Sequence, residues 1–180
     1  MLRLLAGVSL AVAWLGGGLI LASAVLIGLD VIARNAFAAA PFASMELSRY
    51  AFAGAIAFGM AHALVMRSHI RIDILHRLLP RALHAPLDTI ALACMAPLAT
   101  VFAWYAWDVV RESARLGAVS NSPLAVPLVF PQSVWAGGFT WFALVSWFLL
   151  LIALWGLLRW RPAEIEAVGG MPGVAEELPK

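Results

Sequence analysis

Charge is scarce in this sequence and cysteine is almost absent. Charged residues make up 12% of the 180 residues, and the one cysteine is Cys94. A soluble domain carries about 25% charged residues, so a surface this poor in charge is not built to face water on every side. A single cysteine excludes an internal disulfide framework. Twelve Lys and Arg against ten Asp and Glu leave a net charge of +2, with no basic stripe to suggest nucleic acid. No nucleophile–base pair, glycine-rich phosphate loop or CxxC motif occurs, so no residue is a candidate for catalysis and an enzyme is not expected. What the chain has instead is 63% apolar residues and eight Trp. That composition belongs to an integral membrane protein.

A bilayer core about 30 Å thick needs roughly 20 apolar residues in a helix. The uncharged stretches between Arg3 and Asp30, Arg49 and Arg67, and Asp88 and Asp108 contain 26, 17 and 19 residues. A fourth runs from Arg115 to Arg159, but Pro123, Pro127 and Pro131 make its first third a poor membrane helix. The expected fold is all-α, with four transmembrane helices at about 4–30, 46–66, 86–107 and 133–158 within a membrane domain over 1–161. The runs show no strand-like alternation, which disfavours a barrel. Ala22-Ser23-Ala24 resembles a signal-peptidase site, but the apolar run continues to Leu29, too long for a signal peptide. The first span is therefore expected to stay as an anchor. Beyond Arg161 the chain turns rich in Pro, Gly and Glu, so 162–180 is expected to be a disordered tail.

Eight basic residues fall at the N-terminus, in the second loop and in the tail; four fall in the first and third loops. The positive-inside rule then puts both termini and the second loop in the cytoplasm. In that second loop Ile70, Ile74 and Leu78 recur every four residues and Pro80 ends the run, the pattern of an amphipathic helix lying at the headgroups. The first loop is apolar and is expected to follow the interface. Ser44 is placed to cap the second helix, with Glu46 in its first turn and Arg49 three residues on, close enough to pair.

The second helix carries small residues in two rows: Ala51, Ala55, Gly59 and Ala63, and Ala53, Ala57 and Ala61. Small residues let helices approach closely in lipid, so this helix is expected to touch more than one neighbour, within the chain or on a second subunit. Gly16, Gly17 and Gly18 in the first span mark close packing or a flexible point. Trp104, Trp107, Trp135, Trp155 and Trp160 cluster near span ends as an aromatic belt. Asp30, Asp88 and Asp108 fall at span ends, with Asp30 and Arg34 spaced to pair there. Ionisable groups inside a membrane are functional suspects, and His62 alone sits well inside. One histidine is a poor haem site, which needs axial ligands from facing helices, and His69 and Asp73 beside several arginines make a poor cation site. No cofactor or metal is expected. Neither a proton relay nor a transporter built on internal repeats has the residues it needs, which leaves a small tetraspan protein of accessory type.

The loops add a pattern. Arg34-Asn35-Ala36-Phe37, Pro41, Glu46-Leu47-Ser48-Arg49-Tyr50, Gly59, then His69-Ile70-Arg71-Ile72-Asp73-Ile74-Leu75 and Leu79-Pro80 resemble, in order and spacing, the small membrane subunit of TRAP transporters, the DctQ-like family. The similarity continues through Pro127, Pro131 and Gly138-Phe139, over roughly Asp30 to Leu158. Ala43-Ser44-Met45 stands where the family has an aromatic residue, and Ala136 where a proline is common.

The resemblance implies a tripartite carrier of the bacterial inner membrane. A periplasmic binding protein would deliver a solute, usually an organic acid carboxylate, to a large DctM-like membrane subunit that moves it inward with sodium. The small subunit would scaffold the large one. Glu46 and Arg49 at the outer interface, His69, Arg71 and Asp73 at the inner one, and Ala55 and Gly59 on the packing face are the residues expected to serve that role. A self-associating channel or small exporter is the alternative.

Overall fold

The computed structural model describes residues 2–37, 43–67, 80, 83–122, 124–161, 165, 168 and 169. Among them four long helices stand out: α1 (Leu2–Phe37), α2 (Ser44–Val65), α3 (His84–Leu116) and α4 (Val129–Leu158). The amphipathic element expected over Ile70–Leu78 lies outside the described residues. So do His69, Arg71 and Asp73.

Three of the helices are long and apolar enough to cross a membrane: residues Ala6–Ala36 of α1, and all of α3 and α4. By that measure α2 does not join them, unlike the four spans expected. The reason lies in its composition, rich in Ala and Gly, with Glu46, Arg49 and His62 inside the helix. Small residues contribute little hydrophobicity but allow close contact. Accordingly, α2 is the helix that bridges α1 to the remainder. Along the bundle α1 packs on α2, α2 on α4, and α4 on α3. The main core lies between α3 and α4, where Leu92, Ala96, Phe142, Val145 and Leu149 are buried, with Ala61 and Leu64 of α2 closing one side.

Three helix limits differ from the sequence expectation. The first helix reaches Phe37, beyond its span. Asp108, read as the start of the third loop, lies inside α3, which runs on to Leu116. Its charges are satisfied along the helix, Asp108 by Arg111 and Glu112 by Arg115, so they do not interrupt it. The stop comes at Gly117, whose φ of 59° is the left-handed conformation. Ala118 N–H then bonds the Ser113 carbonyl at 2.9 Å, the usual glycine termination of a helix. The last helix starts four residues early, at Val129, and takes Pro131 into its first turn, where a missing N–H costs no helical bond.

Between α3 and α4 the chain doubles back on itself. Ser120 N–H bonds the Val126 carbonyl at 2.9 Å and Leu128 N–H the Ala118 carbonyl at 3.0 Å, around a bridge between Val119 and Pro127. Of 162–180, expected as a tail, Ile165, Val168 and Gly169 are described. All three are helical and buried. Gly169 stands so close to Asp88 of α3 that an added Cβ would lie 3.0 Å from its Cβ, so at these positions the chain returns to the core.

Candidate functional site

The two rows of small residues on α2 serve two different neighbours. Ala55 faces α1: a Cβ on Gly16 would lie 3.1 Å from the Ala55 Cα and 3.2 Å from its Cβ. Ala57, fully buried, faces α4, where a Cβ on Gly138 would lie 2.6 Å from the Ala57 Cβ and 3.0 Å from its carbonyl carbon. The packing expected of these rows is therefore within the chain at both positions. Gly59 is different, since a Cβ there would meet nothing within 4 Å. Gly16 proves to be a close-packing glycine, whereas Gly17 and Gly18 face open space.

Between Ser9 and Asp30, every seventh residue of α1 is small or polar: Ser9, Gly16, Ser23 and Asp30. Ser9, Gly16 and Asp30 are buried and Ser23 is half-buried. Seven residues make nearly two helical turns, so these positions form one seam. Asp30 closes its end. It pairs with Arg34 of the next turn, as its spacing implied, and accepts a hydrogen bond from the Ser44 hydroxyl at 2.8 Å. Ser44 thus ties α2 to α1. It is not the helix cap: that position falls to Ala43, which has no side chain to cap with.

Glu46 and Arg49 do not form the ion pair their spacing suggested. Glu46 accepts hydrogen bonds from Tyr50, at 2.5 Å, and from Ser122 in the 117–128 loop. Ser120 and Ser122 share a further bond of 2.8 Å, and Leu124 N–H donates to Ser122 Oγ at 3.2 Å. Tyr50 and Ser122 thus donate directly to the Glu46 carboxylate, with Ser120 bonded behind Ser122. The effect is to clasp the loop between α3 and α4 onto the start of α2. Neither serine was singled out from sequence, because a partner 76 residues away leaves no local signal. Tyr50, by contrast, lies at i, i+4 from Glu46, and its pairing was within reach of helical spacing. Arg49 is exposed.

Two further ties were not legible. Trp107 Nε1–H donates to Thr140 Oγ1, and Trp147 Nε1–H to Thr100 Oγ1, both at 2.9 Å. Each threonine hydroxyl in turn donates to the carbonyl four residues back, Ala136 or Ala96. These relays stitch α3 to α4, so Trp107, read as part of the aromatic belt, also bridges helices. His62 is half-buried, and its Nδ1 has no hydrogen-bond partner. Among the described residues no three His, Cys, Asp or Glu side chains gather as a metal site would require.

An all-helical bundle with three membrane-crossing helices, held together by small-residue seams and interhelical hydrogen bonds, is a multi-pass membrane protein. The family model for the DctQ component of tripartite ATP-independent periplasmic transporters matches residues 23–159. The chain belongs to this family and is a small permease subunit of a TRAP transporter. No curated protein and no solved structure matches the chain.

Proposed function

We propose that this subunit scaffolds the large membrane subunit of a sodium-coupled importer for an organic acid carboxylate, delivered by a periplasmic binding protein. In this reading solute and ion sites belong to the large subunit. The observation that carries it is the state of α1. This 36-residue helix packs on α2, and its apolar flank stays open, with Trp14, Leu15 and Leu21 at 75%, 69% and 69% exposure. Such a flank suits lipid and a second membrane subunit, whereas among the described residues no cluster of His, Cys, Asp or Glu able to hold an ion comes together.

The same reading makes α2 a fourth span. Its 22 residues extend about 33 Å, with Ala55 packed against α1 and Ala57 against α4. Both termini then lie in the cytoplasm, as the distribution of basic residues predicts. A reporter fused after Lys180 that is active on the periplasmic side would overturn that orientation.

Co-expression with the large subunit is the direct test. A stable complex should be recovered in detergent, and Gly59→Leu, placed where the chain leaves open space, should weaken it. Ala55→Leu is the wrong probe, because Ala55 packs against Gly16 and its enlargement would damage the subunit itself. Charge reversal at Arg71 should reduce uptake with receptor affinity unchanged. Solute flux through vesicles containing this chain alone would instead support the channel reading.

A further inference from the structure

A groove of about 320 Å³ runs between α1 and α2, with Ile20, Ala24 and Ile27 on one wall and Phe52, Ser48 and Arg49 on the other. It is closed at both ends. The Gly16–Ala55 contact shuts one end, and the hydrogen bond from Ser44 to Asp30 ties the helices beyond the other. These two contacts set an antiparallel register in which Arg49 is level with Ser23 and Ala24. Arg49 also lies one turn along α2 from Glu46, which meets the 117–128 loop. Its guanidinium is therefore near the height at which helices give way to loop, the depth of lipid headgroups.

Arg49 differs from Arg34, Arg111, Arg115 and Arg159. Arg34, Arg111 and Arg115 have carboxylate partners, and Arg159 lies over the Trp155 ring at 4.4 Å. Among the described residues no carboxylate lies within ion-pair range of Arg49. Nearby Glu46 is occupied by Tyr50 and Ser122. A cation at the membrane boundary attracts anionic headgroups, and its aliphatic stem lies against apolar surface. We propose that the groove binds an anionic phospholipid, its phosphate on Arg49 and an acyl chain along Ile20, Ala24 and Phe52.

The shape selects this occupant over a partner helix. A helix with side chains is about 10 Å across, too wide for a seam held shut at both ends, whereas a hydrocarbon chain fits. A lipid also brings charge and chain in the order in which the groove presents Arg49 and its apolar walls.

The test uses the full chain, with any subunits that co-purify, extracted in mild detergent and exposed to equal amounts of phosphatidylglycerol and phosphatidylcholine. Native mass spectrometry then counts the lipid retained. Phosphatidylglycerol should be retained preferentially, and Arg49→Gln should lower its retention about fivefold, the factor that one cation near an anionic surface contributes. Arg49→Lys should keep the preference. Ala24→Phe, which fills the groove and leaves the charge, should also lower retention. Equal retention of the two lipids would overturn the proposal, as would indifference to either Arg49→Gln or Ala24→Phe. A crosslink from Arg49 to a carboxylate of a co-purifying subunit would reassign the cation to protein.

Discussion

Glu46 gathers hydroxyl donors from two distant parts of the chain. Tyr50 and Ser122 both donate to its carboxylate, so Glu46→Ala removes the acceptor they share and should lower the thermal midpoint. An unchanged midpoint would mean that the clasp adds no stability. The Trp–Thr relays are tested separately. Thr100→Val or Thr140→Val should each cost about 0.6 kcal/mol, and at most about 1.7, the span measured for hydrogen bonds between membrane helices. Thermal unfolding followed by tryptophan fluorescence would show it. Sequence placed Glu46 at the start of α2 and Asp30 beside Arg34, since both follow from helical spacing. It mispaired Glu46 with Arg49 because spacing specifies who is near along one helix, not who arrives from another.

At the scale of elements, the tightest contact at any described glycine is that of α2 and α4 at Gly138. Gly138→Ala would bring its Cβ to 2.6 Å from the Ala57 Cβ, and the backbone behind it must also move. Overpacking of this kind costs about 1–3 kcal/mol. Gly137→Ala, one residue away, meets nothing within 4 Å and should gain up to about 1 kcal/mol from helix propensity. Opposite signs at adjacent glycines, read from thermal midpoints, are the expected result; two neutral outcomes would show that α2 and α4 do not meet there. Four helices were legible because each rests on a long uncharged run. Their ends were not. The charges at Asp108–Arg115 read as loop from composition, yet they neutralise one another along α3 and let it continue to Gly117.

For the whole molecule the order of packing is α1, α2, α4, α3, with α1 at the margin. Oxidative crosslinking can check it. In a Cys94→Ala background, Gly16→Cys with Ala55→Cys should form a disulfide, since Cβ atoms at these positions lie near the separation such a bond requires. Gly17→Cys with Ala55→Cys should not, because Gly17 faces open space. Equal crosslinking of both pairs would place α1 elsewhere. The sequence by itself determined that the chain enters a membrane, roughly where its helices run, and through its ordered loop motifs the family it resembles. These follow from local properties, hydrophobic length and spacing along the chain. Only the tertiary structure decided that Ala55 and Ala57 serve different neighbours, that Ser122 holds Glu46, and that Arg49 lines a largely apolar groove between α1 and α2. Those facts depend on which helix faces are turned together, and that is set by where two glycines let backbones touch.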